Sequence, residues 1–311
     1  MIENISTEGL HDKKYVMIMD EFEEIRSKQL KNTYKINMLG TNNRVFSILY
    51  SLSNPLRKNP KAKRYVNFVL KKILQNGQKK GKTLQAYTGV FWTKDVIETS
   101  TLPYPVRRVE YPWAIINGRL DTSMKILDVG SGISLFPIYL ASKNHVVNSI
   151  DYDEILMNRV SPKLAELSGV KVNYSFGNAT KIDFDDEMFD RVFCISTIEH
   201  LEEQYKDGEY VNYHEKNLDV IAIGEMLRVL KPGGLLIMTF DWSESIDDKR
   251  SYKLDDIYER VLKPYRKFLL DDRRSEINWD DLKKKHIAAW KEFPPHNYIT
   301  EGWAIGVVLK K

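Results

Sequence analysis

The feature that most constrains this chain is an apolar run that leads straight into a glycine turn. Residues 124–129 (MKILDV) have strand character, and Gly130-Ser131-Gly132 follows at once, ahead of a helical stretch. Glycines at such a point let the backbone turn sharply and let a ligand approach the main chain. A helix that starts next directs its free N–H groups and the positive end of its dipole into the turn. A ligand-free strand-to-helix turn would carry the same glycines, so the turn by itself says more about topology than about chemistry.

The same texture continues downstream. HVVNSID (145–151), VKVNYSF (170–176), FDRVFCIS (189–196) and GLLIMTF (234–240) read as strands, with helical stretches between them, the clearest at 218–230. Strands alternating with helices imply a parallel sheet covered on both faces. Right-handed crossovers then lead to a doubly wound α/β sheet. The C-terminal WAIGVVLKK is expected to return to this sheet as its last strand. Residues 244–296 then become a helical insertion or cap, and the core comprises 114–243 with 297–311. Residues 1–113 are expected to be a mainly helical extension ending in a connector. Tyr15, Ile18, Met19, Phe22 and Ile25 recur at helical spacing. Two further amphipathic helices are expected at 44–52 and 62–74. Residues 99–113 carry three prolines and are expected to be extended.

Composition narrows the setting. A single cysteine, Cys194, precludes an intrachain disulfide and fits a reducing compartment. No apolar run approaches the roughly 18 residues of a membrane span, and the N-terminus lacks the order of a secretory signal. A soluble, cytoplasmic protein is expected. The net charge of +4 is unevenly spread: residues 57–82 hold ten Lys or Arg and no acid, whereas 183–190 hold five acids and no base. The basic stretch could grip RNA or an anionic membrane, but a solvated helix face with a buried stripe is the commoner meaning of such a pattern.

Two carboxylates define the expected ligand. Asp151 ends the second strand, twenty-one residues after Gly130, where an acid can accept both hydroxyls of a ribose. Asp128 lies two residues before the first glycine. It would repel a pyrophosphate and attract an ammonium group. A molecule with a ribose at one end and an α-ammonium at the other is S-adenosyl-L-methionine. Position 135 is Leu, so the third glycine of a dinucleotide fingerprint is absent.

Further motifs follow in order: FGNA at 176–179, Thr197-Ile198-Glu199-His200-Leu201 after the fourth strand, and EMLRVLKPGGLLIMTF at 225–240. Residues 122–242 as a whole resemble the class I S-adenosylmethionine-dependent methyltransferases, which have a Rossmann-like fold. The similarity is greatest to the small-molecule branch that includes the ubiquinone and menaquinone C-methyltransferases. The resemblance implies that Asp128 and the Gly130 carbonyl hold the methionine ammonium, and that Gly130, Ser131 and Gly132 line the methionine moiety. It implies that Asp151 binds the ribose and Tyr152 packs on the adenine. Asn178 and the Ala179 backbone would read the adenine edge, with Ser196 and Thr197 near the methionine end. Asn178 stands where the family usually has Asp, and Ser134 where it usually has a third glycine.

Methyl transfer from a sulfonium needs alignment and dryness above all, and a base only where the acceptor must lose a proton. His200, Glu199 and Asp241 lie at the expected carboxyl edge of the sheet and are the candidates, His200 first. Tyr111, Trp113 and Trp242 are candidate walls of an acceptor pocket, formed by the N-terminal region and the segment after 241. No metal is expected. A small-molecule acceptor is favoured. An RNA or protein methyltransferase using the basic stretch, or a non-catalytic cofactor-binding module, are the alternatives. The acceptor and the oligomeric state are not readable from the sequence.

Overall fold

A computed structural model describes residues 2–4, 12–39, 107–154, 156–206, 209–212, 216–243, 251–270 and 304–311. The expected helices at 44–52 and 62–74, the basic stretch at 57–82 and most of the 244–296 segment lie outside these residues. The chain divides into two compact units, Met1–Ile25 with Thr101–Lys311, and Arg26–Ser100.

The larger unit is built on a seven-stranded sheet of order β1-β9-β8-β5-β2-β3-β4. Its central strands are β2 (Lys125–Val129), β3 (Val146–Asp151), β4 (Asn173–Phe176), β5 (Phe189–Ile195) and β8 (Leu230–Asp241), all parallel. Strand β9 (Ala304–Lys310) returns antiparallel to β8, as expected for the last strand. Strand β1 (Ile2–Asn4) adds antiparallel to β9, a strand within a region expected to be helical. A separate hairpin pairs β6 (Glu203–Lys206) with β7 (Glu209–Asn212).

The period of two in the strands separates two buried faces. Val192 and Cys194 of β5 pack into a cluster with Ala222, Ile223 and Met226 of a helix at Leu218–Val229, and with Trp242, Tyr252 and Ile257 beyond β8. Phe193 points the other way and meets Phe136 edge-on. Helices α2 (Arg107–Gly118) and α3 (Phe136–Ser142) gather on this second side together with the first part, up to Ile25, of α1 (Lys13–Leu39), whose Phe22 is stacked on Tyr139 and tilted against Tyr111. The expected apolar face of α1 is real: Tyr15, Ile18, Met19, Phe22 and Ile25 are buried or half-buried, whereas Val16 and Met17 are exposed. The remaining helices are α4 (Ser161–Ser168) and α5 (Leu218–Val229). No helix among the described residues is long and apolar enough to cross a membrane.

One local expectation fails. Residues 107–113 are helical, within α2, and Pro112 lies inside that helix. Proline removes a backbone donor and disfavours helix in the residue before it. Here the burial of Val109, Tyr111, Trp113 and Ala114 outweighs that local preference. The acidic run at 183–190 is also resolved: Asp186 pairs with Arg228, Glu187 with Lys311 and Asp190 with Lys231. Three of its five acids thus lie against a base.

Candidate active site

Chain order reverses at β2. From β2 the chain steps outward to β3 and β4, then returns to β5 on the other side of β2. Open α/β sheets bind ligands in the crevice outside the strands' carboxyl ends at such a reversal. A cavity of about 530 Å³ lies there, lined by Gly130, Asp151, Tyr152, Asn178, Ala179, Ser196, Thr197 and His200 among others. These eight are residues that the sequence had singled out. Leu201, the end of the motif at 197–201, also lines it, as do Thr180 and Leu218, which no quoted motif contains.

The glycine turn is held from three sides. The Gly130 N–H donates to the Ile150 carbonyl (2.8 Å), and the Gly132 N–H donates to Asp151 Oδ2 (2.8 Å). Thr197 Oγ1 donates to the Gly130 carbonyl (3.1 Å). Gly130 and Gly132 both have positive φ, +74° and +50°, a region that non-glycine residues rarely enter. A Cβ on Gly132 would meet nothing within 4 Å, so open space faces the turn there. Ser134 Oγ accepts from the Phe136 N–H (2.9 Å) and is hydrogen-bonded to the Tyr111 hydroxyl (2.9 Å). The serine that replaces a family glycine thus ties the start of α3 to α2.

Beneath the turn, Asp128 is almost fully buried, and burial, with Asp151 adding to it, pushes its carboxyl up to about 8. Asp128 Oδ2 and Ser131 Oγ are both buried and accept or donate no hydrogen bond of ordinary geometry, although the Ser149 hydroxyl is set against Asp128 and holds its carboxyl down in part. Such groups are rare in folded proteins. A ligand ammonium beside Asp128 would satisfy the one and a ligand polar group the other. The residues present therefore fit the amino-acid end of S-adenosylmethionine.

At the other end of the cavity, Tyr152 is 73% exposed, with its ring centroid 5.3 Å from that of Phe176. Tyr152 is free to pack on a base. Asn178 Oδ1 accepts from both the N–H and the hydroxyl of Thr180 (2.9 and 2.8 Å). Its oxygen is thus committed to its own turn, and what it can offer an adenine edge is its amide N–H.

His200 lines the cavity with its side chain 30% exposed, and its Nε2 lies 3.9 Å from Oε1 of the fully buried Glu199. Burial pushes the Glu199 carboxyl up to about 7, with His200 pulling it down and Asp241 adding to the rise. The Asp241 N–H donates to Glu199 Oε1 (3.2 Å). Glu199 and Asp241 therefore stand behind His200 and outside the cavity lining. The two tryptophans lie outside the cavity lining. Trp113 is 2% exposed and packs on Gly306 of β9, and Trp242 is 1% exposed within the core cluster. Both belong to packing between sheet and helices. Tyr111, 3% exposed, backs the glycine turn and does not line the cavity. Sequence reasoning missed Glu110, a fully buried acid on α2 that accepts from Ser196 and Thr239 (2.7 Å each).

An open doubly wound sheet with an acid below its glycine turn and a second at the end of the next strand is an arrangement that a nucleoside-bearing cation would fit. Residues 127–238 match the family model described as a methyltransferase domain. Over 128 residues the chain is 30% identical to an uncharacterized protein of Haemophilus influenzae, covering 40% of this chain and 45% of that one. Over 157 residues it is 27% identical to the ubiquinone biosynthesis O-methyltransferase of Rickettsia conorii, covering 50% of this chain and 52% of that one. A solved SAM-dependent methyltransferase from Aquifex aeolicus shares 18% identity at a TM-score of 0.40, covering 64% of this chain and 88% of that one. The chain spans about half the length of the two curated relatives named here.

Proposed function

We propose that this chain is an enzyme that transfers the methyl group of S-adenosylmethionine to a small-molecule acceptor. One observation carries the reading: a buried carboxyl on Asp128 below the glycine turn, with Asp151 at the end of the next strand. The two acids match the two polar ends of that cofactor. Asp128 and the Gly130 carbonyl hold the ammonium, Asp151 the ribose hydroxyls, and Tyr152 the base. When bound, the cofactor supplies an already activated methyl group with a neutral leaving group. The protein's own work is alignment and the exclusion of water. Where the acceptor must lose a proton, His200 is placed to take it, since it lines the cavity. Glu199 behind it steadies the resulting charge without touching the acceptor. A small-molecule acceptor is supported by the similarity to the Rickettsia protein named for ubiquinone biosynthesis.

Transfer of a labelled methyl group in a cell extract tests the reading. Label is expected in the low-molecular-weight fraction, and His200→Gln is expected to lower its rate of appearance while leaving cofactor affinity unchanged. Label confined to RNA or protein would overturn the small-molecule acceptor. Absence of any transfer, with intact cofactor binding, would overturn the enzymatic reading.

A further inference from the structure

Helix α2 carries an ion pair that no cofactor motif contains. Glu110 is fully buried and pairs with Arg107, one turn earlier on the same helix. Burial alone would lower the Arg107 pKa, but Glu110 beside it raises it. Buried charges of this kind need several partners to be tolerated, and the partners here come from two different strands. Glu110 Oε1 accepts from Ser196 Oγ, just after β5, and from Thr239 Oγ1 of β8, both at 2.7 Å. Arg107 Nη1 donates to the same Ser196 Oγ at 2.5 Å. The Ser196 N–H also donates to the Thr239 carbonyl (2.8 Å). Every polar group of Ser196 that points toward α2 or β8 is therefore held.

Ser196 needs that hold, because its φ is +44°. A non-glycine residue in the left-handed region is strained and persists only where its surroundings impose it. The strained turn has a consequence in the cavity. It delivers Thr197 against the glycine turn, with Thr197 Oγ1 on the Gly130 carbonyl at 3.1 Å. The contact is so close that a Cβ on Gly130 would lie 2.1 Å from the Thr197 methyl carbon. Both Ser196 and Thr197 line the cavity.

We infer that Glu110, with Arg107, is a positioning residue for the cofactor's methionine end: it holds Ser196 in the left-handed conformation that seats Thr197 on the Gly130 carbonyl. The inference rests on the reading of the cavity as an S-adenosylmethionine site. Helix α2 thereby sets the shape of a site that it does not line. A merely structural Glu110 would stabilise the packing of α2 on the sheet and leave cofactor affinity in the folded protein unaltered.

The test is calorimetric titration of S-adenosylmethionine into native chain and variants, each shown folded by its thermal transition. Glu110→Ala is expected to weaken binding by about tenfold, as release of a strained backbone conformation implies. Glu110→Gln, which keeps the accepting oxygen, is expected to recover most of that loss. Ser196→Gly adopts positive φ without assistance, so in that background Glu110→Ala is expected to have no further effect on affinity. If Glu110→Ala fails to fold, the comparison of Ser196→Ala with Ser196→Gly replaces it. Both lack the hydroxyl, and only alanine opposes the backbone conformation, so alanine is expected to bind about tenfold more weakly. Additive effects of Glu110→Ala and Ser196→Gly, or equal affinities for Ser196→Ala and Ser196→Gly, would overturn the inference alone. Failure of the native chain to bind S-adenosylmethionine would overturn the cavity reading and the inference with it.

Discussion

A Cβ built on Gly130 would stand 2.1 Å from Cγ2 of Thr197, well inside van der Waals contact. The backbone at Gly130 is also left-handed, at φ +74°. Gly130→Ala must therefore displace Thr197 and strain the turn together. We expect a loss of stability of roughly 1–3 kcal/mol from strain and overpacking, read from thermal unfolding. Cofactor affinity is expected to fall by more than tenfold in the folded protein. Native affinity in a folded Gly130→Ala variant would contradict the placement of the methionine end at this turn.

Asp151 has two tasks, since its carboxylate already accepts the N–H of Gly132 at 2.8 Å and that of Asp153 at 2.9 Å. Its expected third task is the ribose. Asp151→Ala is predicted to weaken S-adenosylmethionine binding by about ten- to a hundredfold, the scale of a lost charged hydrogen-bond partner. Isothermal titration gives the number directly, and unchanged affinity would remove Asp151 from the site.

The raised pKa of Asp128, about 8 against an ordinary 3.8, sets a pH dependence with a definite sign. Below pH 8 the empty protein carries a proton on Asp128 that a cationic ligand must displace. Affinity should therefore fall as pH drops, by up to about tenfold per pH unit well below 8. The empty protein should behave oppositely. Between 3.8 and about 8 the folded state binds the proton that the unfolded state has lost, so Asp128 lowers stability as pH rises through that window. Asp128→Asn should flatten both profiles, and a native-like pH slope of affinity in that variant would assign the effect elsewhere.

Trp113 and Gly306 supply a stability test that is independent of the cavity. A Cβ on Gly306 would lie 2.4 Å from the Trp113 ring, so ring and glycine are matched in shape. Trp113→Ala is expected to cost about 3–5 kcal/mol and Gly306→Ala about 1–3 kcal/mol. The double variant should lose less than the sum, because the truncation makes the room that the added methyl needs. Strict additivity in denaturant unfolding would show that the two do not meet.

Asp128 and Asp151 were legible in the sequence because their places are set by short offsets from the glycine turn, within one strand-turn-helix unit and the strand after it. Strands β2, β5 and β8 of the parallel core were legible for a similar reason: largely buried on both faces, they read as apolar runs. Glu110 was not legible. Its partners Ser196 and Thr239 lie 86 and 129 residues away, and only the fold brings them together. The burial of Trp113 and Trp242 was not legible either, because nearness along the chain to the sheet's carboxyl edge does not fix which way a side chain points. Strand β1, three residues long, is too short to show any period. It exists because β9 offers it an edge.

The most direct test of the account is calorimetric titration of the native chain and Asp128→Asn with S-adenosylmethionine and with NAD. The account predicts that the native chain binds S-adenosylmethionine at one site, that Asp128→Asn binds it more weakly, and that neither binds NAD. NAD binding that strengthens in Asp128→Asn, with no S-adenosylmethionine bound by either protein, would contradict it.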